Sequence, residues 1–180
     1  MTYIALLRGI NVGGKRRVEM KTLTQALEQA GFKNVTTYIN SGNVILESGL
    51  TTEAVNSLVE KTIVETFGFA VDVITLAQPK FTAIVDAIPS DWTNDTAMKC
   101  DVLFLHSDID SDAVLQELKT KPEIDDTIYV PGAIIWSVAR ENVTKSGMIK
   151  IIGTPIYRKL TIRNCNTARK LVAILNKRTT

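Results

Sequence analysis

The order of short apolar runs and helical stripes repeats once along the chain, and that repetition restricts the fold more than any single residue does. Residues 2–8 form a short apolar run that stops at Gly9. A run of this length, bounded by a turn residue, reads as a buried strand. A basic, glycine-rich stretch follows to Arg17. Met20, Leu23, Leu27 and Ala30 then share one helical face, and Gly31 stands where a helix ends in a left-handed residue. Residues 35–39 and 44–46 are two further strands. Asn40-Ser41-Gly42-Asn43 between them makes a tight hairpin, with Gly42 free to take positive φ. Thr51 or Thr52 caps the next helix, with Glu53 in its first turn. Val55, Leu58, Val59 and Ile63 are its buried stripe, and Gly68 ends it. Residues 70–75 are a strand. Pro79 suits a helix first turn, and Phe81, Ile84, Val85 and Ile88 continue at helical spacing.

Residues 89–96 are polar, broken and aperiodic, as a linker is. The same order then returns. Residues 100–105 are a strand, and Asp110-Ser111-Asp112 opens a helix that buries Val114, Leu115 and Leu118. Residues 127–130 and 133–138 are strands around a Pro131-Gly132 turn. The spacing predicts a helix over 144–152 and a strand over 160–163. Asn164 or Asn166 caps a last helix, with Leu171, Val172 and Leu175 facing inward. The halves share a pattern without obvious residue identity. Each is the split βαβ arrangement. The expected fold is α+β: two ferredoxin-like (βαββαβ) units, each with an extra C-terminal helix, antiparallel sheets with helices packed on one face. The first unit covers 1–90, a linker 91–97 and the second unit 98–180.

Composition bounds the class. With 180 residues, 45% hydrophobic and 22% charged, the chain is long enough for a real core and ordinary for a globular protein. No apolar run approaches the ~20 residues of a membrane span. Residues 3–7 read as a strand rather than a signal peptide. Cys100 and Cys165 fit a reducing compartment better than a disulfide framework. A cytoplasmic location with no membrane contact is the expectation. The net charge is +2, with a pI near 8.5, below the pI of roughly 9 that marks nucleic-acid domains. The distribution says more. Residues 91–139 hold three basic and ten acidic side chains, and residues 140–180 hold ten basic and one acidic, Glu141. Such asymmetry can mark an anionic partner. Alternatively, the two stretches fold against each other and cancel.

Two cation-rich segments each follow a strand. In the first, Gly9-Ile10-Asn11-Val12-Gly13-Gly14-Lys15 satisfies the spacing G-x-x-x-x-G-K. A phosphate-binding loop of that form wraps phosphates in amides, neutralises them with its lysine and holds Mg²⁺ with a Ser or Thr. Arg16 stands where that hydroxyl belongs, the helix starts late, and the next strands form a hairpin. Nucleotide hydrolysis is therefore not expected. Arg8, Asn11, Gly13, Gly14, Lys15 and Arg16 still suit a phosphate or carboxylate, with Asn40, Ser41 and Asn43 beside them. A solvated basic turn is the other reading. The second segment, around Arg163, Asn164, Asn166 and Arg169, sets a helix N-terminus among cations. Its alternative is that the asparagines merely cap and Arg163 pairs with an acid.

Other chemistries fare worse. One histidine, His106, and no closely spaced His/Cys/carboxylate set argue against a metal or a nucleophilic pair, and no cofactor is expected. Asp108-Ile109-Asp110-Ser111-Asp112 lacks the glycine and final glutamate of a calcium loop. Cys165, among cations, is the better reactive-thiol candidate of the two cysteines. Trp92 and Trp136 read as packing residues, since aromatics do not interleave with the basic runs.

Residues 6–15 and 38–44, Leu-Leu-Arg-Gly-Ile-Asn-Val-Gly-Gly-Lys and Tyr-Ile-Asn-Ser-Gly-Asn-Val, resemble the signature of the uncharacterised bacterial family DUF1697. Ile162-Arg163-Asn164-Cys165-Asn166-Thr167, continuing to Leu171, resembles that family's C-terminal signature. The resemblance spans essentially the whole chain and implies a duplicated ferredoxin-like arrangement, with no activity to carry over. Cys165 departs from it by replacing a usual tryptophan. The leading functional expectation is a binding protein for a phosphate-bearing small molecule or nucleic acid. The alternatives are a metal-independent enzyme acting on a small phosphorylated or carboxylated metabolite, and a structural or protein-interaction module. Ligand identity, catalysis and oligomeric state are not legible from the sequence.

Overall fold

A computed structural model describes residues 1–178 and divides the chain into two compact units, Met1–Phe81 and Thr82–Thr180. The division falls within a helix, α3 (Gln78–Asp86). The first unit holds a four-stranded antiparallel sheet in the order β2-β3-β1-β4. Its strands are β1 (Thr2–Leu7), β2 (Lys33–Tyr38), β3 (Asn43–Glu47) and β4 (Val73–Ala77). Strand side chains alternate between faces. Tyr3, Ala5 and Leu7 therefore share a face, and they pack with Leu23 and Leu27 of α1 (Met20–Gln29) and Val55, Val59 and Ile63 of α2 (Thr52–Phe67). The intervening Ile4, Leu6, Ile45 and Leu76 are equally buried. Both faces of the sheet are thus buried.

Local chemistry accounts for the helix ends. Thr51 Oγ1 accepts from the Ala54 amide at 3.3 Å, and Gly68 closes α2 at φ 78°. Strand β4 begins later than the apolar run at 70–75 suggests. Its ladder starts where Val73 pairs with Leu7, the last residue of β1.

The second unit repeats the sheet in the order β6-β7-β5-β8, again antiparallel. These strands are β5 (Met98–Leu105), β6 (Asp125–Val130), β7 (Ala133–Ala139) and β8 (Leu160–Asn164). One face packs Leu103, Leu105, Ile134, Trp136 and Val138 against the connecting segments. Helix α6 (Cys165–Arg178) packs on β5 and β8. Asn164 is its cap, with Oδ1 accepting from the Thr167 amide at 2.9 Å.

Two sequence-predicted helices come out differently. The one opened by 110–112 shrinks to a 3-10 turn, Ser107–Ile109, and one helical turn, α4 (Val114–Glu117). The helix expected over 144–152 is instead two 3-10 segments, Arg140–Lys145 and Met148–Ile151, followed by α5 (Pro155–Arg158). Ser146 breaks it with extended backbone at φ −60°, ψ 143°. The reason is tertiary: the Ser146 hydroxyl and the Gly147 amide both donate to the Asp125 carboxylate.

The acidic and basic stretches meet inside this unit. Lys159 pairs with Asp108, and Arg140 Nε donates to the Asp95 carbonyl at 2.7 Å. The ion pair holds the Asp108 carboxyl below its ordinary range. Residues 91–97 are irregular but not loose. Asp95 Oδ1 accepts from the Ala97 and Met98 amides, and Asn94 Oδ1 accepts from Arg140 Nη2.

Candidate functional site

The loop after β1 is a small hairpin standing on an apolar base. Val12 and Lys15 pair across a two-residue turn in which Gly13 and Gly14 take φ of 61° and 73°. That geometry needs positive φ at both central positions, which glycine supplies without strain. The Lys15 amide donates to the Val12 carbonyl at 3.3 Å, and the Asn11 amide to the Arg16 carbonyl at 3.1 Å. These amides close the hairpin rather than gather round a phosphate. Ile10 and Val18 are buried and anchor the base. Residues 12–17 are all exposed, so Lys15, Arg16 and Arg17 stand at the tip in water.

Asn11 ties this hairpin to its neighbour. Its Nδ2 donates to the Val18 carbonyl at 2.9 Å and to the Asn40 carbonyl at 2.8 Å, while Oδ1 accepts from the Val18 amide at 2.8 Å. The second turn is built round Asn43, which is fully buried. Asn43 Nδ2 donates to the Tyr38 carbonyl and to Ser41 Oγ, each at 3.0 Å. Asn40 and Ser41 are exposed. The Leu7 amide donates to the Gly42 carbonyl at 2.8 Å. Arg8 Nη1 lies 3.4 Å from Asp72 Oδ2, so this cation has an acid beside it.

Backbone strain gathers at the same place. Asn11, Arg16 and Ile39 hold φ of 55°, 50° and 50°. For a β-branched residue such as Ile39 that is an outlier, of order 1–3 kcal/mol. Gly42 at φ 80° is constrained twice, because an added Cβ would sit 2.6 Å from Leu7 Cβ and 2.8 Å from Ile10 Cδ1. Gly42→Ala is expected to cost about 2–4 kcal/mol, from left-handed backbone plus overpacking. Denaturant unfolding reads this directly, and a loss under 1 kcal/mol would contradict the close approach.

The C-terminal candidates belong to the second unit and serve its own backbone. Arg169 Nη1 donates to the Trp92 carbonyl at 2.8 Å and Nη2 to the Pro89 carbonyl at 2.9 Å. Asn166 Nδ2 donates to the Asn94 carbonyl at 2.9 Å. Asn164 is occupied as the α6 cap. Arg163 is buried, its Nη1 donates to the Ile162 carbonyl, and burial pulls its guanidinium down to about 10. Cys165 is buried as well, with Sγ 3.7 Å from Arg169 Nη1. Its burial closes off the solvent access a reactive thiol needs. Burial pushes the Cys100 thiol far up, with Cys165 beside it adding to the effect.

Within the first unit the loop carrying Arg8, Asn11, Gly13, Gly14, Lys15 and Arg16 is tied through Asn11 to the turn of Asn40, Ser41 and Asn43, and within the second unit Arg163, Asn164, Asn166 and Arg169 gather round the start of α6. Among the described residues, no cluster of His, Cys, Asp and Glu could hold a metal, and no helix is long and apolar enough to cross a membrane. Two groups escape sequence reading. Asp72 beside Arg8 follows from strand register alone. Lys99 and Asp101 did leave a trace: they sit two apart in an apolar strand, hence on one face.

A comparison with curated proteins finds no match. Among solved structures, the conserved bacterial protein SP0830 from Streptococcus pneumoniae is similar at 30% identity and a TM-score of 0.83, with 97% of this chain and 98% of that one covered. A family model described as "Protein of unknown function (DUF1697)" matches residues 1–136. That span contains the strained double hairpin and stops short of the Arg163–Arg169 pair. The chain belongs to the DUF1697 family.

Proposed function

We propose that the protein binds a phosphate-bearing ligand, with nucleic acid as the favoured class, through the Lys15-Arg16-Arg17 tip of the first hairpin. The observation that carries this reading is the combination of an exposed cationic tip with a rigid base. Three side chains of one sign stand in water, while Asn11, Ile10 and Val18 hold the loop that bears them. Such a tip attracts phosphates without reading sequence, and its pre-set backbone lowers the ordering cost of binding. Local strain at Asn11, Arg16 and Ile39 supports it, since strained backbone persists where the surroundings over-determine it. Arg8 contributes less, because Asp72 partly neutralises it.

Each unit is read here as ferredoxin-like with an extra helix at its end. The strand orders β2-β3-β1-β4 and β6-β7-β5-β8, with α3 after β4 and α6 after β8, support that reading, and with it a duplication. Two free cysteines support a reducing, cytoplasmic setting.

The test is a salt titration. A single-stranded oligonucleotide should bind the native chain with an affinity that falls steeply as salt rises. The Lys15→Ala/Arg16→Ala/Arg17→Ala variant should bind at least ten-fold more weakly and lose roughly 2 units of log–log salt slope, at about 0.7 per single-strand phosphate contact. Equal affinity for native and variant chains, or binding indifferent to salt, overturns the proposal. A mononucleotide titrated in parallel separates a small-molecule site from a backbone-tracking one.

A further inference from the structure

The second unit holds an apolar pocket of about 190 Å³ over one face of its sheet. Its floor comes from β5, where Lys99, Asp101 and Leu103 alternate onto a common face. Trp136 lies directly across from Asp101 in the ladder and forms a wall. The 3-10 segment Met148–Ile151 and the residue after it supply further lining through Met148, Ile149, Ile151 and Ile152. Ile149 and Ile152, 42% and 67% exposed, present apolar surface at the pocket's mouth.

The walls are held by polar groups outside the pocket. Trp136 Nε1 donates to Asp125 Oδ1 at 3.0 Å, which fixes the ring. The same carboxylate holds Ser146 and Gly147, and the Met148 amide donates to Ser146 Oγ at 3.0 Å. One buried acid thus sets the distance between the tryptophan wall and the 3-10 wall. A slot kept open in this way is pre-formed rather than a packing defect.

Size and charge select the occupant. A cavity of ~150 Å³ accommodates one benzene ring, so the volume here fits a ring with a short arm. Among the described residues, the charged side chains lining the pocket are an ion pair, Lys99 Nζ to Asp101 Oδ2 at 2.8 Å. Lys99 Nζ also lies 5.6 Å from the centroid of the Trp136 ring. The two partners are not equally accessible: the lysine side chain is 28% exposed and the aspartate 10%. An ammonium has three donors, and one is given to Asp101. A carboxylate can approach the exposed side of Lys99 and leave the ion pair intact. An amine would have to displace Lys99 to reach the more deeply buried Asp101. We propose that this pocket is a binding site for a small aryl carboxylate, with its ring against Trp136 and its carboxylate on Lys99. The site is independent of the basic hairpin and of any nucleic-acid ligand.

Phenylacetate, ethylbenzene and benzylamine are suitable probes: similar rings carrying an anionic, a neutral or a cationic arm. Trp92→Phe leaves Trp136 as the one tryptophan, so its indole N–H resonance and fluorescence report the pocket without ambiguity. Phenylacetate is expected to shift the Trp136 signal saturably and to bind at least ten-fold more tightly than benzylamine. Lys99→Met should weaken phenylacetate about ten-fold while leaving ethylbenzene unchanged, a split that general loss of structure would not give. Ile162→Phe, which narrows the slot from the partly exposed β8 position, should weaken phenylacetate and ethylbenzene alike. No saturable shift with any probe, tighter binding of benzylamine, or phenylacetate binding indifferent to Lys99→Met overturns the assignment.

Discussion

Replacing Asp125 with alanine is expected to lower the melting temperature by roughly 6–20 °C, taking a loss of about 3–5 kcal/mol and 2–4 °C per kcal/mol for a chain of this size. The carboxylate is buried and accepts four hydrogen bonds, from the Lys121 and Gly147 amides, Trp136 Nε1 and Ser146 Oγ. Removing it strands donors that water reaches poorly, and each such donor carries a desolvation penalty of about 1–3 kcal/mol. Asp125→Asn should recover little, because each oxygen accepts two donors and an amide NH2 at either place meets donors with donors. The pH dependence follows from the same contacts. Burial pushes the Asp125 carboxyl up, but the donors led by Ser146 outweigh it and hold the group below the ordinary carboxylate range. A carboxyl depressed in the folded state contributes stability that is complete above its unfolded pKa and is lost as pH falls through its folded pKa. The native chain should therefore lose stability on acidification more steeply than Asp125→Asn does. Thermal melts of both between neutral and acidic pH give the comparison. A neutral-pH melt of Asp125→Ala within 2 °C of native would show that the network is not formed.

Gly147→Ala is the second large effect, and it runs against local propensity. Gly147 has φ −67° and ψ −23°, right-handed helical values that alanine adopts freely. In an open helix the change would favour the alanine by about 1 kcal/mol. Here an added Cβ would lie 1.3 Å from the Lys119 carbonyl oxygen and 2.3 Å from its carbon. Neither atom is the end of a flexible side chain. The residue 119–120 backbone or the residue 146–148 turn must move, and moving either pulls on the Asp125 contacts. A loss of about 3 kcal/mol or more is expected, at or above the upper end of ordinary overpacking. Gly49→Ala is the control, since its Cβ meets nothing within 4 Å and its φ is not positive. It should stay within about 0.5 kcal/mol of native, as open surface changes do. Denaturant unfolding of the pair measures the difference, and equal stabilities would contradict the close approach at Lys119.

The basic hairpin shows how far local chemistry reads through. Gly42 announces its turn, and the structure adds that Leu7 and Ile10 crowd it from below. Gly13 and Gly14 were legible as loop glycines, but not as the centre of a second hairpin. That depends on Asn11, whose side chain bonds Val18 seven residues on and Asn40 twenty-nine residues on. The Arg163–Arg169 segment shows the limit. As a string of cations beside a helix start it reads equally as an anion site or as capping asparagines with a paired arginine. The fold aims Arg169 at the carbonyls of Pro89 and Trp92, residues some eighty positions earlier, and buries Arg163 with its Nη1 on the Ile162 carbonyl.

The sequence by itself determined the element order, the helix ends at Thr51 and Gly68, the turn at Gly42 and the family. Each rests on forces that act within a few residues, namely capping, backbone permissiveness and side-chain period. Only the tertiary structure decided which charges face water, which are tied to distant carbonyls, why 144–152 is not a helix, and that a slot lies between Trp136 and the 3-10 segment. Those outcomes depend on Asp125, Asn11 and Lys119 meeting partners that strand pairing brings near. A buried polar group takes its partners from wherever the fold supplies them, and no local pattern records where that will be.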